Sequence, residues 1–173
     1  MELKSYIGME PVLKTLSTRK LIGKRIRMTL AENKTSLLWK SFMPRRREIK
    51  NASSTDLFSI EVYDESLNFN DFNLQVEFEK WAAIEVSDFD DIPEGMESFT
   101  LNGGLYAVFS YRGAASAYAK TFHYIFETWF PASAYEVDKR PHFEVMGAKY
   151  KGEDPESEEE VWIPVKMKCP SPK

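Results

Sequence analysis

Apolar residues recur at helical spacing in one stretch of the C-terminal half of the chain. The side chains that share this helical face belong to Tyr118, Phe122, Ile125, Phe126 and Trp129. A residue that precedes proline is disfavoured in the helical conformation, so Pro131 is expected to keep Phe130 out of the helix and to help end it. The pattern predicts an amphipathic helix that begins near Ala114 and ends close to Phe130.

The same pattern occurs once earlier, about 87 residues toward the N-terminus. In both copies an aromatic residue is followed three residues later by a second aromatic residue, then by an apolar residue and a proline. The corresponding residues are Trp39, Phe42, Met43 and Pro44 in the first copy and Phe126, Trp129, Phe130 and Pro131 in the second. The repeated pattern predicts a duplicated fold, and the interface between the two copies of a duplicated fold is a place where a ligand could bind.

Alternating apolar and polar residues predict the strands that flank each helix. Gly23 in the first strand indicates a bulge or a close backbone approach, and Pro164 in the last one favours an edge position or a strand end. The polar segments 64–73 and 132–140 are predicted to be connections. The predicted strands cover residues 12–30, 57–63, 74–86, 96–111 with a break at Gly103–Gly104, 142–146 and 160–165.

The order strand, helix, strand, strand occurs twice, which predicts an α+β fold with two main helices on a mostly antiparallel sheet. Neither half has enough helix to cover its sheet alone, so we expect the halves to pack together. The first repeat spans about 12–88 and the second about 93–167, within a single domain over residues 1–173.

Composition narrows the class of function. A net charge of −4 gives no basis for general nucleic-acid binding. Aromatic residues make up 14% of the chain, which suits either a large core or a cavity for a flat, apolar ligand. The basic run at Arg45–Arg47 is interpreted as part of a solvated helical segment, with a patch for an anionic partner as the alternative.

The chain has one cysteine, Cys169, so no disulfide is expected within it, which fits a reducing compartment. The first residues lead into no apolar signal core, and no apolar run approaches the length of a membrane span. We therefore predict a cytoplasmic protein without membrane contact.

The sequence lacks the common catalytic and metal-binding patterns. His123 is predicted to be a partly buried structural residue and His142 to bond a turn, since neither has a catalytic motif around it. Asp88, Asp90 and Asp91 have no His or Cys neighbour and no calcium-loop spacing. We predict neither a metal site nor a cofactor.

Two glutamates, Glu144 and Glu160, stand in predicted strands that are otherwise apolar. On a strand, Glu160 shares a face with Trp162. A carboxylate beside aromatic rings is costly to bury without a partner, and a cationic ligand would be such a partner. Alternatively, burial suits the carboxyl group to general acid or base catalysis. A third interpretation has both acids facing water or paired with a nearby Lys or Arg.

Six segments, in this order and spacing, closely resemble the GyrI-like small-molecule-binding family, also called the bacterial transcription activator effector-binding domain. The resemblance covers about Glu10 to Lys166. The segments that carry it are residues 19–23, 39–44, 103–109, 129–131, 140–144 and 160–164.

The resemblance implies two β-α-β-β units related by a pseudo-twofold axis, with a ligand cleft between them. Ligands in this family are often hydrophobic and often cationic, and an acidic residue commonly lies in the pocket. The resemblance assigns that acid to Glu144 or Glu160. The aromatic residues carried over with it are Trp162, Tyr106 and Tyr118, while Trp39, Phe126 and Trp129 are assigned either to the cleft or to the core.

Members that regulate transcription join this domain to a helix-turn-helix, for which this chain has no room before its first strand, so no direct DNA binding is expected. The resemblance implies a stand-alone domain that binds or sequesters hydrophobic, drug-like or toxic compounds, including cationic ones. One alternative is a cofactor-free hydrolase of strained, cyclopropane-containing genotoxins, with Glu160 as the candidate catalytic residue. The other is a module that inhibits a protein by binding it. The sequence leaves the ligand and the oligomeric state open.

Overall fold

Nine strands and two main helices form within residues 10–169, the part of the chain that the computed structural model describes. Residues 1–11, which precede the first predicted strand, lie mostly outside this range. The helices are α1 (Thr35–Phe42) and α2 (Tyr118–Tyr124). The strands are β1 (Val12–Leu16), β2 (Arg19–Met28), β3 (Ala52–Val62), β4 (Phe78–Val86), β5 (Glu97–Leu101), β6 (Gly104–Arg112), β7 (Tyr135–Val137), β8 (His142–Met146) and β9 (Glu158–Met167).

Both helices continue past their prolines in less regular turns. A 3₁₀ helix, Met43–Glu48, follows α1, and a π-helical turn, Ile125–Trp129, leads from α2 into a last turn, Phe130–Ala132. Phe130 is helical and donates its N–H to the Ile125 carbonyl, so the expectation that Pro131 excludes it from the helix is wrong. The wide π turn leaves room for the proline ring beside the preceding carbonyls.

The sheet has a twofold topological symmetry. Its strand order is β1-β6-β9-β8-β3-β4-β2-β5, and all neighbours are antiparallel. The corresponding strands of the two repeats are β1 and β5, β2 and β6, β3 and β8, and β4 and β9. If each strand is replaced by its counterpart and the list is read backwards, the same strand order results. The axis therefore passes between β3 and β8, which confirms the predicted α+β fold built from duplicated β-α-β-β units.

The first strand of each repeat bends and exchanges partners. The segment predicted as one strand over 12–30 is two strands, because the chain bends after Leu16 and β1 pairs with β6 of the other repeat. In return, β5 pairs with β2. A Cβ on Gly103 would lie 2.3 Å from the Leu16 carbonyl oxygen, so the two backbones touch where they cross. At Gly23 a Cβ would lie 2.0 Å from the Ala82 carbonyl oxygen, which confirms the predicted close approach.

Alternation along the strands divides the core between the two faces of the sheet. On one face, α1 packs through Leu38 and Phe42. The second helical segment, which consists of α2 and the two turns that follow it, packs on the same face through Ile125 and Phe130. The other face carries a cluster made entirely of strand and strand-end residues, here called the strand-only cluster. Its largest members are Trp81, Tyr106, Phe58 and Phe143. Odd-numbered residues of β9 face the helices, and even-numbered ones face the strand-only cluster.

The end of the second repeat differs from the prediction in two places. The connection predicted for 132–140 contains β7, which pairs with the end of β9. Pro164 is fully buried inside β9 rather than at an edge or a strand end. Its carbonyl accepts the Asp138 N–H, so its missing donor points to the side where β8 has ended and β7 begins, and no ladder bond is lost.

Candidate ligand-binding site

A cavity of about 1250 Å³ lies between the two helical segments, on the helix-bearing face of the sheet. Strands β3, β4, β8 and β9 form its floor, so the twofold axis passes through it. Ligand pockets commonly measure ~300–1,000 Å³, so this one has room for a large aromatic molecule. Its walls are formed by Thr35, Trp39 and Met43 on the α1 side and by Tyr118, Phe122 and Phe126 on the α2 side.

Four charged side chains form a row across the floor, one from each strand. In the order β4, β3, β8, β9 they are Lys80, Glu61, Glu144 and Glu159. Lys80 lies directly opposite Glu61 in the ladder. Glu144 is a diagonal neighbour of Glu61, and Glu159 is a diagonal neighbour of Glu144. The Cα atoms of diagonal neighbours are about 7–8 Å apart. The row therefore carries three carboxyl groups and one ammonium group.

Lys80 compensates only part of this acidity. Its Nζ is 2.5 Å from Glu61 Oε1 and 4.0 Å from Glu144 Oε2. The Oε2 atoms of Glu61 and Glu144 are buried and accept no hydrogen bond from any other described residue, and protonation of Glu144 allows the two carboxyl groups to hydrogen-bond to each other. A buried carboxylate oxygen without a partner costs free energy, so the floor has unused capacity for a positive or hydrogen-bond-donating group.

Burial and crowding set the protonation of the row. Burial, followed by the charge of Glu61, raises the pKa of Glu144 well above its usual range, although Lys80 acts against this. Burial, again followed by Glu61, raises the pKa of Glu159 to about 7. Burial works to lower the pKa of Lys80, but the charges of Glu61 and Glu144 outweigh it and raise that pKa, so the ammonium group stays charged. An arriving cation favours the ionised form of both remaining acids.

The long loop between β3 and β4 closes one side of the cavity with aromatic rings. The Phe69 ring stacks on Phe126 with their centroids 5.4 Å apart, and Phe72 lies 5.6 Å from Phe122. The sequence predicted residues 64–73 to be a polar connection, and its two phenylalanines were not assigned to the site. The first repeat thus covers part of the second repeat's helix.

Neither histidine adds a positive charge to the floor. His142 is buried on β8 beneath Phe69, with ring centroids 4.9 Å apart, rather than bonding a turn. Burial lowers the pKa of His142 to about 3, so the ring is neutral near physiological pH. His123 lies at the rim, 3.1 Å from Glu127 Oε1, and 65% of its side chain is exposed, so its predicted partial burial is wrong.

The structure brings together only part of the predicted ligand-binding set. Glu144, Tyr118, Trp39 and Phe126 line the cavity. Trp129, which the sequence left between cleft and core, packs against the core around Phe109 and is not among the lining residues.

Glu160, Trp162 and Tyr106, which the sequence assigned to ligand binding, do not line this cavity, since all three lie on the opposite face of the sheet. Glu160 stands opposite Val145 in the ladder, which points away from Glu144. Tyr106 is completely buried and donates its hydroxyl hydrogen to the Pro141 carbonyl at 2.9 Å. The period of two along a strand is the reason, because it sends odd and even residues of β9 to different faces.

The register of the strands defines which residues of the two repeats are equivalent. Ile60 and Phe143 face each other across the axis. Ile60 pairs with Trp81 in the first repeat, and Phe143 pairs with Trp162 in the second. The equivalent pairs that follow are Glu61 and Glu144, Glu79 and Glu160, Lys80 and Val161, and Phe78 and Glu159.

This equivalence gives Glu160 a structural role. Trp162 Nε1 donates to Glu160 Oε2 at 2.9 Å, and Trp81 Nε1 donates to Glu79 Oε1 at 2.5 Å. The same bond therefore holds the tryptophan in both halves, on the face away from the cavity. Because the Trp–Glu bond occurs in both halves and lies away from the cavity, it is explained by the packing of the fold.

Glu61, Lys80 and Glu159 line the cavity and were not among the residues that the sequence assigned to it. One signal for Glu61 was present, because residues 60–62 and 143–145 both read apolar residue, Glu, Val. Lys80 and Glu159 leave no comparable signal, since their position above the cavity floor depends on strand register.

Two kinds of feature are absent from the described residues. Among the described residues, no group of three or more His, Cys, Asp or Glu side chains is arranged to hold a metal ion. Within residues 10–169, no helix combines the length and the apolar character that crossing a bilayer requires.

A duplicated β-α-β-β sheet with a cavity between its helices defines an effector-binding domain of the GyrI-like class. The chain belongs to the Cass2 family, described as integron-associated effector binding protein, which matches residues 12–165. This confirms the resemblance found in the sequence and makes the chain a small-molecule-binding domain.

Similar proteins include a regulator and two solved structures. The chain is 29% identical over 129 residues to the transcriptional regulator BrlR of Pseudomonas aeruginosa, which covers 74% of this chain and 45% of the regulator. The chain thus spans less than half of this relative's length. The structure of SAV2435 bound to tetraphenylphosphonium has a TM-score of 0.66 at 17% identity and covers 91% of this chain and 94% of that one. The EcmrR C-terminal domain has a TM-score of 0.68 at 14% identity and covers 93% of this chain and 99% of that one.

Proposed function

We propose that the cavity binds hydrophobic cations and that the chain senses or sequesters such compounds. The observation that carries this proposal is the pair of buried carboxylate oxygens, Glu61 Oε2 and Glu144 Oε2, that accept no hydrogen bond beneath aromatic walls. A positive charge placed above them gains both a charge partner and aromatic faces.

The apolar walls favour a cation whose charge is spread or shielded. Moving a compact ammonium ion out of water is expensive, and the floor returns that free energy only through close contact. A cation enclosed by phenyl or alkyl groups is weakly hydrated and buries its apolar surface against Trp39, Phe122 and Phe126. The tetraphenylphosphonium in the SAV2435 structure is a compound of this kind, and it supports the same ligand class here.

The test is a calorimetric titration with two ions of the same shape and opposite charge, tetraphenylphosphonium and tetraphenylborate. We expect the phosphonium to bind at least ~100-fold more tightly, a difference of about 2.7 kcal/mol. Glu144→Gln should weaken phosphonium binding by about tenfold. The matched control is Glu160→Gln, on the opposite face, which should leave the affinity unchanged. Equal affinities for the two ions would contradict the proposal.

Hydrolysis is a second candidate function, because a buried carboxyl group with a raised pKa suits general acid–base catalysis. In this structure the groups that meet the description are Glu144 and Glu159, since Glu160 lies on the other face. Chromatography of the compound after incubation separates the two functions. A binder releases it unchanged, whereas a hydrolase yields product that Glu144→Gln or Glu159→Gln abolishes.

A further inference from the structure

The cavity is lined by more acidic side chains than a single positive group would neutralise. Among the described lining residues there are five glutamates, and Lys80 is the one lysine or arginine. Two of the glutamates have local partners at the rim: Glu127 contacts His123, and Glu153 accepts hydrogen bonds from Ser116. The other three are the acids of the floor row.

Within that row, Lys80 and Glu61 form a closed ion pair. Their atoms are 2.5 Å apart, and Glu61 is only 9% exposed, so the pair is held out of water. Glu144 is left 4.0 Å from the same ammonium group with one unbonded oxygen. Among the described residues, no basic side chain lies within ion-pair distance of Glu159. Two acids on the second-repeat side of the floor therefore lack a cation of their own.

The spacing of these two acids follows from the ladder. Glu144 lies opposite Val161, and Glu159 is two residues away from Val161 on the same face of β9. Diagonal neighbours of this kind have Cα atoms about 7–8 Å apart, and this backbone spacing sets the scale of the separation between the two acids. The cavity above them is bordered by Tyr118 and Tyr150, whose pKa values burial raises, so both rings are neutral.

We propose that the ligand of this cavity is a hydrophobic dication whose two positive groups, about 7 Å apart, lie at Glu144 and Glu159. This inference rests on the proposed function and narrows the ligand class within it. The apolar remainder of the ligand extends toward Trp39 and Met43 on the α1 side, where Lys80 repels a further positive charge.

The protonation of the floor agrees with this assignment. The pKa of Glu144 is raised well above its usual range and that of Glu159 to about 7, so the empty cavity holds part of its acids in neutral form. A dication that reaches both groups shifts both toward the ionised form, and a monocation shifts chiefly the group it touches.

The experiment compares three quaternary ammonium ions by calorimetry on the whole chain. They are pentamethylene-bis(trimethylammonium), the decamethylene homologue, and pentyltrimethylammonium. We expect the short dication to bind at least ~10-fold more tightly than the monocation and more tightly than the longer dication, whose charges are too far apart. In Glu159→Gln the advantage of the short dication over the monocation should disappear, because the variant loses more affinity for the dication than for the monocation.

The outcomes separate this inference from the proposed function. If the monocation binds and the dication gains nothing over it, the dication assignment is overturned and the proposed function stands. If Glu159→Gln weakens both ligands equally, Glu159 is not a second charge site. If neither ion binds and tetraphenylphosphonium also fails, both proposals are overturned. Thermal melts verify that the variant folds, and Glu159→Asp provides a second variant that keeps the charge and should retain most of the dication advantage.

Discussion

The two repeats share one plan and differ in what they place in the cavity. In both, a tryptophan on the last strand donates its Nε1 hydrogen to a glutamate two residues earlier, on the face away from the site. In both, an apolar–Glu–Val segment places one glutamate on the floor. Where the first repeat has Lys80 the second has Val161, and where the first has Phe78 the second has Glu159.

The difference between the two repeats separates positions that stabilise the fold from positions that define the ligand. Matched positions on the face away from the cavity, such as Trp81 and Trp162, maintain the sheet, so a substitution there should cost similar stability in the two halves. Positions that do not match make the cavity floor asymmetric, with Lys80 beside the acid of the first repeat and the added acid Glu159 in the second. The predictions below probe this contrast.

The largest expected effect comes from Lys80→Met, which removes the one ammonium group of the floor. Breaking a buried ion pair by deleting one partner typically costs about 3 kcal/mol, because the other charge is left without compensation. We expect this loss in the free energy of unfolding, measured by urea denaturation near neutral pH. The double variant Lys80→Met/Glu61→Gln should recover most of it, and no recovery would mean that the loss arises from packing alone.

Trp81→Phe and Trp162→Phe should have matching, smaller effects. Each removes a hydrogen bond to a carboxylate, worth about 1.5 kcal/mol, from equivalent positions on the face away from the cavity. Urea denaturation should show similar losses for the two variants, and phosphonium affinity should not change. A selective loss of affinity in Trp162→Phe would return Glu160 and Trp162 to the site.

The affinity for cations should fall as the pH is lowered. Glu159 has a pKa of about 7 and is surrounded by Glu61, Glu144, Glu153, Lys80, Tyr118 and Tyr150. Below that pH its carboxyl group is protonated and must lose a proton when a cation binds beside it. One such group weakens binding by about tenfold between about pH 8 and pH 6. Calorimetry should show this slope for the short dication and a shallower one in Glu159→Gln, where only Glu144 contributes. A slope unchanged by the substitution would contradict the role of Glu159.

Phe69→Leu should have the smallest effect. It removes an aromatic stack worth about 1 kcal/mol between the first repeat's loop and Phe126, so the cover of the cavity loosens. We expect phosphonium binding to weaken by about threefold, mainly through faster dissociation measured by stopped-flow Trp fluorescence. The matched control is Phe99→Leu, which alters an aromatic contact with Trp81 on the opposite face and should leave dissociation unchanged.

Much of the fold could be predicted because it follows from local patterns. The repeat, the two helices and β8 follow from hydrophobic spacing alone. The exchange of β1 and β5 between halves could not be predicted, since the bend after Leu16 changes partners without changing the alternation. The π turn before Pro131 could not be predicted either. It allows Phe130 to be helical, although a residue that precedes proline is normally disfavoured in a helix.

The site was less predictable than the fold, because it depends on register. Glu144 and Glu160 look alike in the sequence, and only the pairing of β8 with β9 shows that they face opposite sides. Glu159 is part of an acidic run at 156–160 and gives no sign of its burial. Phe69 and Phe72 were placed with a polar loop, because the surrounding asparagines and aspartates dominate that segment.

The most direct test of the central claim is a crystal structure of the chain with tetraphenylarsonium, in which anomalous scattering locates the arsenic atom. We expect a single strong peak above β3, β8 and β9, on the side of Glu144 and Glu159, with the ligand's phenyl groups in contact with Phe122 or Phe126. A peak beside Glu160 and Trp162, on the other face of the sheet, would contradict this expectation.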